Sequence, residues 1–128
     1  MADVTFRRIE EIESYKGPGG PSGQFLYAGK ELGVTAWGMN VLRLPAGWSG
    51  YPEHDHAEEG QEEVYVVLEG SATLTADDET LRLEPGTLVR VGARQKRKIV
   101  PGGEGVVILA LGGSPGRAYQ PRWLSKKS

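Results

Sequence analysis

Short runs of alternating apolar and polar residues, separated by glycine and proline, make up most of the chain. Alternate side chains of an extended strand point to opposite faces, so this pattern predicts strands rather than helices. The clearest prediction is residues 63–69, in which Glu63, Tyr65 and Val67 share one face and apolar residues fill the other. We expect both faces of this strand to be buried. Further strands are predicted at 25–27, 35–44, 71–76, 80–83, 87–91, 96–100 and 106–113.

About eight short strands joined by tight turns favour an all-β domain, either a sandwich or a barrel. The chain of 128 residues is long enough for one domain with its own core and too short for two. Its 19 glycines and 8 prolines supply the turns that such a fold requires. We therefore expect a single β domain over residues 25–113, preceded by an N-terminal segment (1–24) and followed by a C-terminal tail (114–128).

The N-terminal segment and the tail depart from the strand pattern. Residues 5–13 repeat an apolar residue at every third position, at Phe6, Ile9 and Ile12, which predicts one or two helical turns that pack on the domain. Residues 16–23 are rich in glycine and proline and favour a flexible connector over a lid. The polar tail is expected to lie across a subunit or a sheet edge.

The charge of the chain is close to balanced, with 15 basic and 17 acidic residues and a net charge of −2. This balance provides no general attraction to nucleic acid or to an anionic membrane. Cysteine is absent, which excludes disulfides, thiolate metal sites and cysteine nucleophiles. The sequence shows no stretch typical of a signal peptide and no run of about 20 apolar residues. We therefore expect a cytoplasmic protein that binds neither nucleic acid nor membrane.

Both histidines of the chain, His54 and His56, lie between two predicted strands. In an extended segment, side chains two residues apart project from the same face about 6–7 Å apart, so these imidazoles can share a cation. Glu63 begins the following strand and can return a carboxylate to the same point. Two imidazoles and a carboxylate suit a divalent transition metal such as iron, manganese, nickel, copper or zinc. Gln61, on the same face as Glu63, is a candidate outer partner of this site.

This segment resembles the first motif of the cupins, in which a glycine precedes His-x-His, a glutamate follows, and a second glycine closes the motif. The matching residues are Gly50, His54, His56, Glu63 and Gly70. Gly50 is not at the family's usual distance before His54, and six residues separate His56 from Glu63 where three or four are usual. The resemblance implies a cupin jelly-roll barrel, also called a double-stranded β-helix, with His54, His56 and Glu63 as metal ligands. It also implies a homodimer.

A second cupin motif, which supplies a further histidine ligand, has no complete counterpart in the chain. Residues 83–101 contain a proline-glycine turn and a strand pattern but no histidine. By register Arg97 takes that position, with Lys96 as the near alternative. An arginine stays protonated and offers no lone pair to a metal. We expect Arg97 either to bind an acidic ligand beside a metal or to pair with Glu63 in a site without metal.

The functional hypothesis is a small cupin that binds a divalent transition metal (iron, manganese, nickel or zinc) and binds, or acts on, a small acidic, oxygen-rich molecule. Arg97, Gln61 and Tyr65 are its predicted ligand contacts, although filling the core is the favoured role of Tyr65. Trp37 and Met39 share a strand face and line either the core or a ligand cavity. The alternative is a metal-free ligand-binding or sensory module without catalysis. A structural or storage role fits the composition, but no feature indicates it.

Overall fold

The computed structural model describes residues 2–12, 14–15, 23–121 and 123. Strands predominate, and they are β1 (Ser14–Tyr15), β2 (Gln24–Leu26), β3 (Gly38–Leu44), β4 (Glu62–Ala76), β5 (Glu79–Leu83), β6 (Leu88–Val91) and β7 (Lys98–Gly113). The helical elements among these residues are a 3-10 helix at Ile9–Glu11 and the α-helix α1 (Ala28–Leu32). The predicted connector or lid at 16–23 lies outside the described residues, apart from Gly23.

The seven described strands form one antiparallel sheet that curls into a jelly-roll barrel. Their order is β1-β2-β3-β7-β4-β5, and β6 pairs with β4. The strand β7 therefore lies between β3 and β4, and it pairs with β3 along all of Gly38–Leu44 and with most of β4. This architecture confirms the predicted all-β jelly roll.

The strands β4 and β7 are longer than predicted, because sequence breaks that suggest turns lie inside them. Residues 63–69 and 71–76 both belong to β4, and the predicted strands 96–100 and 106–113 merge into β7, which begins at Lys98. Gly70 has a φ of +73° and sits at an irregularity of the β4–β7 ladder. A Cβ atom at Gly70 would collide with the backbone of Gly105. The glycine that closes the first motif therefore lets two long strands approach each other.

Apolar side chains from β3 to β7, together with Tyr51 from the loop before β4, fill the barrel. This core consists of Leu42, Leu44, Tyr51, Tyr65, Val67, Ala72, Leu74, Leu83, Val91, Ile99, Val106, Ile108 and Ala110. A second cluster lies on the opposite face of β3 and consists of Leu26, Ala28 and Val41, with the partly buried Ile9, Ile12, Met39, Val107 and Leu109 packed against it. The N-terminal segment and α1 thus cover only one part of the outer surface of the barrel.

The outer face of β4 is more exposed than the sequence pattern predicts. Val64 and Val66 are half-buried and Leu68 is 41% exposed, whereas Tyr65 and Val67 on the inner face are buried. The prediction that both faces of this strand are buried is therefore wrong for the outer face. The reason is that α1 and the N-terminal segment pack beside β3, so cross-strand neighbours provide most of the shielding at β4.

The N-terminal segment was predicted to form one or two helical turns, and its described residues form one, a 3-10 turn at Ile9–Glu11. Phe6 is 81% exposed and does not pack on the domain as expected. Ile9 and Ile12 do pack on the second cluster, as expected. The helix α1 escaped prediction because its five residues are too few to establish a helical period; it ends at Gly33, whose φ is +78°. None of the described helices has the length and hydrophobicity needed to cross a membrane.

Candidate metal centre

The loop that carries both histidines is held against the segment before β7. The His54 N–H donates to the Arg97 carbonyl over 3.1 Å, and the Arg97 N–H donates to the His54 carbonyl over 2.9 Å. The His56 N–H donates to the Ala93 carbonyl over 2.8 Å. The two bonds between His54 and Arg97 form an isolated antiparallel bridge. Together with the His56 bond they hold the loop in which the two imidazole ring centroids are 5.0 Å apart.

Each imidazole has an acceptor at its Nδ1 atom. Nδ1 of His54 donates to the carbonyl oxygen of Pro52 at 3.0 Å, and Nδ1 of His56 donates to Oε2 of Glu59 at 3.4 Å. A histidine that carries its proton on Nδ1 presents the lone pair of Nε2, which is the orientation that outer contacts impose on metal ligands. Nε2 of His56 is buried and has no hydrogen-bond partner among the described residues.

Glu63, at the start of β4, completes a group of three side chains that fit a metal ion. One ligand atom from each of His54, His56 and Glu63 lies within 4.8 Å of the others. His56 Nε2 is 3.5 Å from Glu63 Oε1. Two imidazole nitrogens and a carboxylate oxygen suit a divalent transition metal. The structure thus brings together the three residues that the sequence predicts as ligands.

Two buried tyrosines form a hydrogen-bonded chain that ends on Glu63. The Tyr65 hydroxyl donates to Glu63 Oε1 over 2.6 Å, and the hydroxyl oxygens of Tyr51 and Tyr65 are 3.1 Å apart. Because Tyr65 has one hydroxyl proton, Tyr51 is the donor in the second bond. Burial raises the pKa of both phenols, so both stay neutral donors at physiological pH. Tyr65 therefore fills the core and also contacts a predicted metal ligand.

The ionisation of Glu63 and that of His56 depend on each other. Burial on its own would raise the pKa of Glu63, but contacts with His56, Tyr65 and Arg97 outweigh burial, and the pKa is lowered. The contact with Glu63 raises the pKa of His56 against the opposing effect of burial, and Glu59 adds to the rise. A proton and a metal ion compete for the same imidazole nitrogen, so the raised pKa opposes metal binding.

Arg97 is completely buried, with 0% exposure. Its Nη1 and Nη2 atoms donate to the carbonyls of His54 and Gly92, each over 3.3 Å. Nη2 is also 3.9 Å from Glu63 Oε1. The Nε atom is buried and has no hydrogen-bond partner in the part of the chain that the structure describes. The guanidinium therefore lies inside the protein beside a predicted metal ligand.

A cavity of about 940 Å³ opens beside His56 and Glu63. Trp37 and Met39 line it, so they contribute to a cavity wall, one of the two roles expected from the sequence. Gln61 also lines the cavity. Gly112 leaves room for this amide, since a Cβ atom at Gly112 would lie 2.8 Å from Gln61 Oε1. The described residues that line the cavity do not include Arg97 or Tyr65, which lie behind Glu63.

Comparison with known proteins identifies the family. The sequence model of the cupin domain family matches residues 40–112 of this chain. The chain belongs to the cupin family. A search of the curated proteins found no match.

Solved structures that resemble this cupin show the same fold. A cupin protein from Bacteroides fragilis is 21% identical with a TM-score of 0.69, and the match covers 100% of this chain and 98% of that chain. A sugar phosphate isomerase of the cupin superfamily from Silicibacter pomeroyi is 22% identical with a TM-score of 0.68, and the match covers 82% of this chain and 73% of the isomerase chain. A predicted oxalate decarboxylase from Thermotoga maritima is 19% identical with a TM-score of 0.66, and the match covers 82% of this chain and 95% of the decarboxylase chain.

In this cupin the C-terminal segment, defined here as residues 114–121 and 123, forms one side of the cavity. Residues 114–117 make a turn in which the Arg117 N–H donates to the Ser114 carbonyl over 3.2 Å. Pro115 is followed by Gly116 with a φ of +70°, the pattern of a type II turn. The Ser114 hydroxyl and Arg117 Nη2 both donate to the Glu59 carbonyl over 3.1 Å. This C-terminal segment thus lies along the cavity of its own chain, and contact of the tail with a subunit or a sheet edge stays a prediction.

Sequence reasoning missed three residues of the cupin site. Tyr119 packs on Gly38, since a Cβ atom there would lie 3.2 Å from the Tyr119 hydroxyl. Arg117 lines the cavity, and Tyr51 donates to Tyr65. The proline-glycine pair before Arg117 is a turn signal that could have located it. Tyr51 has no such signal, because its role depends on contacts with residues distant in sequence.

Proposed function

We propose that this cupin binds a divalent transition metal through His54, His56 and Glu63, and that it binds, or acts on, a small acidic, oxygen-rich molecule in the adjoining cavity. The observation that carries the proposal is the buried Nε2 of His56, which forms no hydrogen bond among the described residues and faces Glu63 Oε1 at 3.5 Å. A lone pair and a carboxylate oxygen at this distance can be bridged only by a proton or a cation. A buried polar atom without a partner is costly. A bound cation would remove that cost.

The residues around the three ligands hold them in place. The Pro52 carbonyl and the Glu59 carboxylate accept from the two Nδ1 atoms, and Tyr65 holds Glu63. Contacts of this kind fix the orientation of metal ligands. When bound, a divalent ion polarises a carbonyl or hydroxyl oxygen of a substrate. We assign Tyr65 a positioning role on Glu63, and we assign Gln61 a ligand contact on the cavity wall.

The charges around the cavity support an acidic ligand once a cation is present. The described lining residues include three carboxylates, those of Glu58, Glu59 and Glu63, and two cations, Lys30 and Arg117. Carboxylates are in excess, so the cavity without metal disfavours an anion, and a divalent ion reverses the sign. Two similar structures are named for anionic compounds, a sugar phosphate and oxalate, which agrees with this class of ligand.

We assign Arg97 the role of internal counter-charge to Glu63. Its side chain is buried 3.9 Å from that carboxylate, and it lies apart from the described cavity lining. This geometry supports the pairing with Glu63, which the sequence offered for a site without metal and which we combine here with a bound metal. It argues against direct contact between Arg97 and the acidic ligand. The guanidinium cannot donate a lone pair to a metal, so the protein supplies at most three ligands.

Elemental analysis tests the metal site directly. The comparison is between the native protein, purified without affinity tag or chelator, and the double variant His54→Ala, His56→Ala. Near-stoichiometric metal in the native protein and none in the variant would support the three-ligand site. Absence of metal from both, after anaerobic reconstitution with manganese, iron, nickel or zinc, would contradict it.

A metal-free ligand-binding or sensory module is the second candidate. The observation in its favour is that Glu63 already has a hydrogen bond from Tyr65 and a nearby guanidinium from Arg97, so its charge is partly compensated without a metal. Thermal melting separates the two candidates, because a ligand that binds only the folded state raises the midpoint. An unchanged midpoint with each of the four metals, relative to chelator, would favour the module.

A further inference from the structure

Arg117 is a cation on the cavity wall in the same group of lining residues as His56 and Glu63. We propose that Arg117 recognises the anionic group of the ligand and thereby determines specificity for acids. This inference rests on the proposed function, because it concerns the same cavity. It assigns recognition to the C-terminal segment and to a residue outside both cupin motifs.

The side chain of Arg117 is held at one point and keeps donors available. Its Nη2 atom donates to the Glu59 carbonyl over 3.1 Å. Among the described residues, it forms no ion pair with a carboxylate. A guanidinium has five N–H donors in a planar fork that matches a carboxylate or a phosphate. Arg117 is therefore oriented by the protein while most of its hydrogen-bonding capacity remains for a ligand.

The other cations near the site are less suited to this role. Lys30, on α1, also lines the cavity, but its ammonium lies over the ring of Tyr27 at 5.9 Å from the centroid. A lysine is a compact charge on a flexible stem and does not provide a fork. Arg97 is buried beside Glu63 and away from the described lining. Lys30 adds general attraction for an anion, whereas Arg117 supplies directional contact.

Glu59 connects Arg117 to the predicted metal ligands. Its carbonyl accepts from both Ser114 and Arg117, and its carboxylate accepts from Nδ1 of His56. One residue thus holds both the anion-recognising cation and a metal ligand, which fixes their separation. A fixed separation makes the affinity for a ligand with two acidic groups depend on the distance between those groups.

Calorimetric titration with a series of linear dicarboxylates, from oxalate to adipate, tests the proposal. For the Mn²⁺-loaded native protein we expect one chain length to bind best. Arg117→Gln should lower the affinity for that acid about tenfold or more and remove the preference for length, with Mn²⁺ affinity unchanged. Arg82→Gln is the matched control, because Arg82 is an exposed arginine on β5 that pairs with Glu84 at 3.0 Å outside the cavity. It should bind every acid as the native protein does.

A second variant separates recognition from loss of structure. Ser114→Ala removes the other side-chain bond from this turn to Glu59 and leaves the guanidinium, so acid binding should stay within a fewfold of native. Arg117→Gln binding with native affinity and native length preference would overturn the assignment while the acid-binding cavity stands. Equal losses in Ser114→Ala and Arg117→Gln would also overturn it, because the turn and not the charge would then be responsible. A native protein that binds Mn²⁺ but none of these acids would refute acid binding itself.

Discussion

The Arg97 guanidinium and the Glu63 carboxylate lie 3.9 Å apart, measured from Nη2 to Oε1, and the arginine is fully buried. From the register of the sequence, we expect this arginine at the position where the second cupin motif has a histidine. A fixed positive charge therefore lies beside a predicted metal ligand. Like charges repel strongly where water is excluded, so Arg97 should weaken the binding of a divalent ion.

Replacing Arg97 by histidine should strengthen metal binding. The substitution removes the charge and places a fourth potential donor on the segment that pairs with His54. We expect Zn²⁺ or Mn²⁺ affinity to rise about tenfold or more, measured by competition with a chelator. Arg97→Met is the control, because it removes the charge without adding a donor, and its gain should be smaller. Equal affinities for the two variants would show that the new imidazole does not reach the ion.

Removal of the Tyr65 hydroxyl should destabilise the protein and raise the pKa of Glu63. The Tyr65→Phe variant loses the 2.6 Å bond to a partly buried carboxylate, which is worth about 1–3 kcal/mol. Urea denaturation gives the free energy of unfolding. Tyr51→Phe is the graded comparison, because it removes a 3.1 Å bond between neutral hydroxyls and should cost less. A larger loss from Tyr51→Phe would contradict the chain of donors that ends on Glu63.

The pKa of His56 predicts opposite pH trends for metal affinity and for metal-free stability. Its contact with Glu63, and then Glu59, holds this pKa above the usual value of 6.5. Metal affinity should fall as the pH decreases through the raised pKa, since protonated imidazole is not a ligand. Without metal, the same group contributes stability that is complete below its unfolded pKa and is lost as the pH rises through its folded pKa.

Metal titrations and urea denaturation in chelator, over one series of pH values, test these two trends. Glu59→Gln should reduce the pKa of His56 and shift both curves to lower pH. If metal affinity and metal-free stability both rose, or both fell, with increasing pH, the assignment to His56 would be contradicted. The His56→Ala variant, measured without metal, should lose the pH-dependent part of the stability that this residue contributes.

Gly70 should be far less tolerant of substitution than Gly103. Gly70 has a φ of +73°, and a Cβ atom would meet the backbone of Gly105, whereas a Cβ atom at Gly103 meets nothing within 4 Å. We expect Gly70→Ala to lower the free energy of unfolding by about 2 kcal/mol or more. Gly103→Ala should change it by less than about 1 kcal/mol. Similar effects in the two variants would disprove the role given to Gly70 in β4.

We expect a homodimer formed through the uncovered part of the outer face. Val66 and Leu88 are cross-strand partners there, and Leu88 is 70% exposed. The adjoining part of the same face, around Val41, is covered by other residues of the chain. Light scattering should give twice the monomer mass for the native protein and the monomer mass for Leu88→Lys. Val4→Lys, which changes an exposed apolar residue outside the sheet, should remain dimeric, and a monomeric native protein would remove this prediction.

The three candidate metal ligands could be predicted to lie together because they are close in sequence. His54 and His56 need only an extended segment to share a face, and Glu63 needs only to begin the next strand. The burial of Arg97 follows instead from its backbone bridge to His54 and from the packing around it. The placement of Arg117 similarly depends on a contact with Glu59. Local pattern does not encode such pairings, since they depend on the register of distant strands.

The strand pattern predicted the fold class but not the lengths of the strands. Gly70 and the PGGEG sequence read as chain breaks, yet both lie inside long strands. At Gly70 and Gly105 the facing backbone leaves no room for a Cβ atom. The helix α1 is too short to show a period. Alternation of apolar residues in β4 suggested two buried faces, whereas burial on the outer side depends on which segments pack over it.

The position of β7 has a consequence for the order in which the chain folds during synthesis. Among the described strands, β1 to β3 connect to β4 to β6 only through β7, the last of them to leave the ribosome. The β4–β5 hairpin can form early. The sheet of β1 to β3 cannot pair with the rest of the barrel until β7 has been synthesised. Such late, long-range closure slows folding and lengthens the exposure of sheet edges. Until β7 is made, the edges of β3 and β4 that it pairs with therefore stay open.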